Sequence, residues 1–356
     1  MKKIVVLLLV LMLVLTSALV ACSKEDKEKD VESSTTTSEP AETSGSDEPK
    51  NNPSEGDKQP EENPGQDEND PPEENPGFDF TAPWDGKSAC IKWFDEGSAS
   101  TGYKISNAYD LAGLSVLTSH KNVGGPVYFD SDFMVITDTD GDGDITDEEG
   151  YDMYNVYGGE NFKGLTVTLE TDIDLNGQPF VPIGVVTSSF QGTFDGKGHT
   201  ISNFKIVGSD AIKHPNANIA YYSLFACIGN GSIVKDLTIN NLTIEVNDGQ
   251  KETYIAPLVG SMAGTASSIQ NCNVYNVNIN VTNKGEGRGA YGYIVGAISA
   301  NGSKIEGCKI YKIVENGDLS GMAHSAEGEG FYSYCTNGAK ATISDCVILT
   351  EDPLAN

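Results

Sequence analysis

The stretch Val234-Lys-Asp-Leu-Thr-Ile239 indicates a repeat architecture, because similar stretches recur without gaps through the second half of the chain. The other four begin at Ile201, Ile269, Ile305 and Ile343, so that successive starts lie 33, 35, 36 and 38 residues apart. A period in this range is typical of a solenoid, in which each repeat forms one coil that stacks on the next.

Two columns of this alignment indicate which kind of solenoid forms. The fourth and sixth residues of each stretch are apolar and two positions apart, as in a half-buried strand. The third position holds residues that readily accept a positive φ: Asn203, Asp236, Asn271, Gly307 and Asp345. A strand, a sharp left-handed bend and a second strand in every coil predict a parallel β-helix.

A second ladder of apolar pairs advances together with the first one. Its members lie 34, 36 and 37 residues apart: Leu224-Phe225, Leu258-Val259, Ile294-Val295 and Phe331-Tyr332. Two such ladders indicate several strands per coil, with equivalent residues stacked ~4.8 Å apart along the axis. The sequence therefore predicts an all-β fold, a right-handed parallel β-helix.

One short helix is predicted before the coils. Ser106 can cap it, and four apolar residues recur every third position on one face: Ala108, Leu111, Leu114 and Leu117. A helix laid over the first coil would cover strand edges that otherwise invite pairing with other chains. We expect this helix to cap the N-terminal end of the β-helix.

The pattern of residues 1–22 is that of an export signal. Lys2 and Lys3 precede an apolar run, 4–15, that is shorter than the roughly 20 residues of a bilayer-spanning helix. The end of the segment, Leu-Val-Ala-Cys22, resembles the lipobox of bacterial lipoproteins. This resemblance implies a lipid anchor on Cys22 and a place in the cell envelope. An ordinary secretory signal with a chance cysteine is the alternative.

Residues 23–80 are predicted to be a disordered tether. They hold 19 acidic and 5 basic residues and almost no large apolar side chains. Such a segment cannot bury enough surface to offset the entropy of ordering it. Residues 81–356 are long enough for one substantial domain. The net charge of −29 argues against nucleic acid and anionic membrane as partners, because both would repel the chain.

An EF-hand-like calcium loop, DTDGDGDITDEE, is inserted at residues 138–149. Its ligands at loop positions 1, 3, 5, 7, 9 and 12 are Asp138, Asp140, Asp142, Asp144, Thr146 and Glu149. A calcium sensor needs a helix on each side, but the preceding PVYFDSDFMVIT favours strand and Gly150 breaks the chain after the loop. We expect a structural calcium site that orders the insertion. A merely solvated acidic loop is the alternative.

Five segments resemble bacterial surface proteins that carry the GLUG motif: YKISNAYDLAGLS, FKGLTVTLETDIDLNG, FVPIGVVTSSFQGTFDGKGHTISNFKI, LFACIGNGSIVKDLTI and PLVGSMAG. The resemblance covers roughly residues 90–350, and its core GTFDGKGHTI is fairly specific. It implies a β-helical extracellular domain like those of adhesin-like proteins and of proteins beside some immunoglobulin-cleaving peptidases. It implies no defined activity, since most such domains have none.

A column of thiols and several polar residues are candidates for chemistry. Cys272, Cys308 and Cys346 share one inward column, where they can pack as small hydrophobes or, as stacked neighbours, form a disulfide. Asp195 and His199 could act as acid and base, but a turn carboxylate and a histidine bonded across coils explain them as well.

Two further groups have both a functional and a structural interpretation. Asp172 and Asp174 end a strand at a glycine turn, where turn chemistry accounts for them. Six aromatic residues could form a sugar-stacking platform or pack inside the fold: Trp84, Trp93, Tyr221, Tyr222, Tyr291 and Tyr293.

These features predict a non-enzymatic, lipid-anchored surface protein whose β-helix presents loops for adhesion to a host or envelope protein or a glycan. A carbohydrate-active β-helix protein, either a polysaccharide lyase or hydrolase or a glycan-capturing partner, is the first alternative. An envelope scaffold that docks another protein is the second. Product release from a polysaccharide would separate an enzyme from the two binding functions.

Calcium is expected to stabilise the full chain against thermal unfolding. At a free calcium concentration 100 times the Kd, the gain is ~2.7 kcal/mol. Asp138→Ala should remove the shift in Tm between calcium and chelator, whereas Asp352→Ala, outside the loop, should keep it. Equal Tm values with calcium and with chelator in the unmodified chain would rule out the site.

Overall fold

The computed structural model describes residues 78–119, 126–127, 129–130, 132–136, 156–157, 160–208, 212–213, 219–247, 252–285, 289–324, 330–335 and 339–355. The lipobox Cys22 and the calcium loop 138–149 lie outside these ranges. Phe78 and Phe80, at the end of the segment predicted as a tether, pack on Tyr109, and their ring centroids lie 4.9 and 5.8 Å from that of Tyr109. Within the described ranges, no helix has both the length and the apolar character needed to cross a membrane.

Within the described ranges, two helices and four main sheets, A to D, build the domain. The helices are α1 (Lys92–Glu96) and α2 (Ala108–Ser119). Sheet A consists of β1 (Tyr103–Ile105), β4 (Thr166–Leu169), β6 (Thr193–Asp195), β11 (Ile233–Lys235), β15 (Ser268–Gln270), β19 (Ser303–Glu306) and β23 (Ala341–Ser344). Sheet B consists of β5 (Ile173–Pro179), β7 (Thr200–Val207), β12 (Thr238–Val246), β16 (Asn273–Val281), β20 (Lys309–Gly317) and β24 (Val347–Ile348).

The remaining strands follow the polar loops and the second apolar ladder. Sheet C consists of β8 (Ile212–Lys213), β9 (Ile219–Tyr222), β13 (Glu252–Ile255), β17 (Gly289–Tyr291) and β21 (Met322–Ala323). Sheet D consists of β10 (Phe225–Ile228), β14 (Val259–Met262), β18 (Val295–Ile298) and β22 (Tyr332–Cys335). A separate antiparallel pair is formed by β2 (Pro126–Val127) and β3 (Val156–Tyr157).

Strand pairing confirms the predicted parallel β-helix. Each coil adds one parallel strand to sheet A and one to sheet B, so that β11 lies between β6 and β15, and β12 lies between β7 and β16. Sheet C is also parallel except for the antiparallel pair β8 and β9. The pairing is in register over most of its length, with one shift between Asp174 and Gln178 in β5.

The left-handed bends expected from the third column of the repeat are confirmed. Positive φ angles between 50 and 64° occur at all five positions: Asn203, Asp236, Asn271, Gly307 and Asp345. The apolar residues that follow them turn into the core, and four are at most 1% exposed: Phe204, Leu237, Cys272 and Cys308. Cys346, in the last coil, is half-buried.

The register predicted for the first of the five stretches is wrong. Ile201 pairs with Ile239 rather than with Val234, and Val234 lies beside Phe194. The reason is that each coil has a second left-handed corner inside sheet B, at Asn176, Asn203, Asn241, Asn276 and Lys312. Apart from Asn176, which Gly177 follows, the residues of both corners are each followed by an apolar residue. A gap-free comparison of sequences therefore aligns one corner with the other. Asn203 belongs to the second corner and Asp236 to the first.

The second apolar ladder is confirmed as sheet D. Phe225 pairs with Val259, Val259 with Val295, and Val295 with Tyr332. The preceding member of each pair is at most 1% exposed: Leu224, Leu258, Ile294 and Phe331. These residues join the core that runs through the coils. Equivalent residues of successive coils thus form continuous internal columns.

The capping helix is confirmed, although Asn107 and not Ser106 caps it. The Asn107 Oδ1 accepts a hydrogen bond of 2.9 Å from the Asp110 N–H, while the Asp110 Oδ2 accepts one of 2.9 Å from the Ser106 N–H. This reciprocal arrangement resembles a capping box. Leu111 and Leu114 of α2 are fully buried and belong to the same core as the coils.

We expect the left-handed corners to be sensitive to the loss of their residue type. Asn271 has φ 50° and donates to the Asp236 Oδ1 at 3.0 Å. Asn271→Ala should lower the free energy of unfolding by about 1–2 kcal/mol through backbone strain alone, which Asn271→Gly avoids. Urea unfolding of the full chain measures both values. Asn273→Ala, at an ordinary φ in the same coil, is the control, and equal losses for Ala and Gly at position 271 would contradict the assignment.

Candidate functional site

The outer face of sheet B carries a groove at its left-handed corner. The groove has a volume of about 410 Å³ and is lined mainly by amides: Asn203, Asn240, Asn241, Asn276 and Asn278. Lys312 and Val314 line its C-terminal end. We call this feature the amide groove. Its residues come from β7, β12, β16 and β20, so the groove runs across successive coils, parallel to the coil axis.

Hydrogen bonds between coils hold the amides of the groove in place. The Asn241 Nδ2 donates to the Asn203 Oδ1 at 2.7 Å, and the Asn276 Nδ2 donates to the Asn240 Oδ1 at 2.9 Å. The Asn203 Nδ2 in turn donates to the Asp174 Oδ2 at 2.9 Å. Each amide has two N–H donors and an oxygen with two lone pairs, so these bonds use only part of its capacity. The groove can therefore present ordered donors and acceptors to a ligand.

The flanks of the amide groove add aromatic surface but little charge. Asn240 lies in register with Tyr275, and Tyr275 lies in register with Tyr311. Tyr275 is buried, whereas Tyr311 is half-buried. Among the residues that line the groove, only Lys312 carries a formal charge. This chemistry suits a ligand that offers many hydroxyl or amide groups and no strong charge.

A second cleft, of about 570 Å³, lies at the N-terminal cap. Trp93 and Phe80 contribute aromatic surface, Lys92 and Lys104 contribute charge, and Asp110 lines it as well. We call this feature the cap cleft. Burial raises the pKa of Asp110 to about 6, against two backbone N–H donors and the Asn107 amide that lower it. Since Asp110 completes the cap of α2, its position is explained by the helix.

The polar residues singled out in the DGKGHT region have structural partners. The His199 Nδ1 lies 3.2 Å from the Asp172 Oδ1, and the same oxygen accepts the Thr200 N–H at 2.8 Å. The Asp174 carboxylate accepts from the Asn176 N–H at 2.8 Å. His199 thus lies within hydrogen-bonding distance of the neighbouring coil, as its structural interpretation expects.

Sequence reasoning missed an ionic cluster that the register brings together on the outer face of sheet A. The Lys235 Nζ lies 2.6 Å from the Asp195 Oδ2 and 3.1 Å from the Asp236 Oδ2. The hydrogen bond to Asp195 is the main cause of a raised Lys235 pKa, and the Asn271 amide is the main cause of a lowered Asp236 pKa. Lys235 and Asp236 are therefore both charged at neutral pH. The feature that reveals this cluster is the register of β6 and β11, in which Lys235 pairs with Asp195.

The six aromatic residues do not form one stacking platform. Four of them are buried: Trp84, Trp93, Tyr221 and Tyr222. Tyr291 and Tyr293 are half-buried around His324, with ring centroids 4.2 and 5.2 Å from it. The Tyr291 hydroxyl also lies 3.4 Å from the Glu315 Oε2. The packing alternative thus accounts for four of the six.

The calcium and lipidation sites remain predictions, because both lie outside the described residues. The calcium ligands concerned are Asp138, Asp140, Asp142, Asp144, Thr146 and Glu149. In the part of the chain that the structure describes, no group of three or more His, Cys, Asp or Glu residues is placed to hold a metal ion.

Comparison with known proteins adds little to this geometry. No family model matches the chain, and no curated protein matches it. Among solved structures, the chain is similar to a proposed immunoglobulin A1 protease from Bacteroides ovatus, with 15% sequence identity and a TM-score of 0.35 over 71% of this chain and 68% of that one. A likeness at this level carries no argument about function, and membership of the GLUG proteins stays a prediction.

Asp110 is expected to make stability depend on pH. Its folded pKa of about 6 lies above the ordinary 3.8, so the folded state holds the proton more tightly. The contribution of Asp110 to the free energy of unfolding is complete below about pH 4 and is lost as the pH rises through about 6. This change amounts to up to ~3 kcal/mol. Asp110→Asn keeps the acceptor and removes the titration. The difference in unfolding free energy between the native chain and this variant should therefore fall from pH ~4 to ~6, and a constant difference would contradict the assignment.

Proposed function

We propose that this protein is a lipid-anchored cell-surface binding protein, and that its amide groove captures an extended, neutral glycan. The observation that carries the proposal is the row of asparagine side chains, repeated coil after coil and held by hydrogen bonds of 2.7 to 2.9 Å. Rigid, ordered donors lose little entropy when a ligand binds. A flexible surface with the same composition would bind less tightly.

The spacing of the groove supports a polymeric ligand. Parallel strands of successive coils are ~4.8 Å apart, so equivalent amides repeat at that interval. This interval is close to the length of one pyranose unit in an extended polysaccharide. Successive sugar units can therefore each meet one amide of the corner column, Asn203, Asn241 or Asn276. Tyr311 offers a half-buried ring beside them.

The charge of the chain favours a neutral glycan over an acidic one. The net charge of −29 repels polyanions at long range, and Lys312 alone offsets it within the groove lining. Uronic acids or sulfated sugars would also leave their charge without an equivalent cation in each coil. A neutral polysaccharide avoids both the long-range repulsion and the unpaired charges.

The proposed location follows from the N-terminal sequence. A lipid on Cys22 would fix the chain in the envelope, and the acidic segment 23–80 would hold the β-helix away from the membrane. A stretched tether reaches on the order of 190 Å, although a coil averages far less. This arrangement suits capture of a polymer outside the cell.

Binding to immobilised oligosaccharides tests the proposal. The full chain should bind neutral members of a panel that also contains uronic-acid oligosaccharides. Asn240→Ala or Asn278→Ala should weaken binding by about 2- to 10-fold each, because each removes one amide from the groove. Asn273→Ala, an amide of the same sheet outside the groove, is the matched control. Thermal unfolding verifies that all variants stay folded.

Two results would contradict the proposal. Binding of acidic oligosaccharides only would exclude the neutral ligand. Unchanged affinity in both groove variants, with binding otherwise intact, would move the site elsewhere on the molecule.

A carbohydrate-active enzyme is the second candidate, and the cluster of Asp195, Lys235 and Asp236 is the observation that favours it. Two carboxylates beside a lysine are the residue types that β-helix enzymes use on polysaccharides. Release of new reducing ends by the full chain, lost in Asp195→Asn, would favour the enzyme. Glycan binding without product would favour the binding protein.

A further inference from the structure

Two thiols meet at the C-terminal end of the cysteine column. Lys309 pairs with Val347, which places the preceding residues, Cys308 and Cys346, on neighbouring coils in register. Cys308 is fully buried, whereas Cys346 is half-buried at the end of the column. An external reagent can therefore reach one member of the pair.

The contacts of Cys346 direct its sulfur towards Cys308. The Cys308 backbone N–H donates to the Cys346 Sγ at 3.4 Å, and the Cys346 thiol lies 3.5 Å from the carbonyl oxygen of Ile305 in the coil below. Parallel neighbours ~4.8 Å apart fall within the Cα separation that disulfides allow. The separation of the two Cα atoms is thus compatible with a disulfide.

We propose that Cys308 and Cys346 are a disulfide site, which closes the last coil onto the coil beneath it by exchange with a small-molecule disulfide. Sheet B ends at β24, where Val347 and Ile348 are 43 and 50% exposed. This short last strand is the part of the sheet that can shift to meet the disulfide geometry. The bond would fix it against fraying.

The exchange proceeds in two balanced steps. The Cys346 thiolate attacks one sulfur of the external disulfide, which releases one small thiolate and leaves a mixed disulfide. Cys308 then loses its proton to the medium and attacks the Cys346 sulfur, which releases the second small thiolate. The two protein thiols are oxidised, and the external disulfide is reduced to two thiols.

The environment of each thiol agrees with this order of events. The hydrogen bond from the Cys308 thiol lowers the pKa of Cys346, which favours the thiolate of Cys346 over that of Cys308. The same hydrogen bond, together with burial, raises the pKa of Cys308. Cys346 is therefore the attacking thiol, and Cys308 is the resolving one.

Cys272 lies next in the column but is not a partner in this proposal. It pairs with Cys308 through the register of Asn273 and Lys309. Both are fully buried, and the strands on either side of Cys272 are held by neighbouring coils. A reagent reaches neither sulfur, and the backbone between coils has no free strand to move.

Mass spectrometry of the full chain after incubation with oxidised glutathione tests the proposal. We expect a peptide pair joined through Cys308 and Cys346, the loss of two titratable thiols and a rise in Tm that a reductant reverses. Cys346→Ser should abolish all three effects. Cys227→Ser, a buried thiol outside this column, should retain them.

Three results would overturn the proposal, and each is read on the unmodified chain, so that none depends on a variant that folds poorly. The first is stable glutathione on Cys346 with Cys308 still reduced. The second is a bond between Cys272 and Cys308. The third is no oxidation of either cysteine under conditions that oxidise an unfolded sample.

Discussion

Parallel hydrogen bonds join each coil to the next in fixed register, and this stacking positions both the core and the polar surface of the domain. Left-handed residues at two corners of each coil set the path of the chain, and only residues that tolerate φ near 50 to 60° satisfy it there. The apolar residue after each corner then points inward. The residue type at a corner thus fixes the bend, and the bend fixes which following residue enters the core.

The same register arranges the polar surface. It places the amides of Asn203 and Asn241 within 2.7 Å of one another and Lys235 within 2.6 Å of Asp195. It also brings Cys346 beside Cys308. The amide groove, the ionic cluster and the thiol pair are therefore three consequences of one stacking geometry. A change of register by one residue would turn inward side chains outward and destroy all three.

The sequence contained enough to predict the fold but not the whole register. Columns such as Leu237, Cys272 and Cys308 repeat visibly, and burial confirms them. The two corners of a coil share the same chemistry, so Ile201 was aligned with the wrong one. The amide groove and the Asp195–Lys235 pair were missed because both depend on which residues lie side by side on neighbouring coils. Periodicity reveals repetition, whereas lateral neighbours require the register itself.

Zero-length carbodiimide cross-linking of the unmodified full chain, followed by mass spectrometry, tests the stacking register most directly. The observed register predicts an isopeptide bond between Lys235 and Asp195, because the Lys235 Nζ and the Asp195 Oδ2 lie 2.6 Å apart. If Ile201 instead lay over Val234, Lys235 would lie beside Ser202, which is on the next strand of the chain after Asp195. A Lys235 cross-link to a carboxylate other than Asp195 or Asp236, with the Asp195 product absent, would contradict the account.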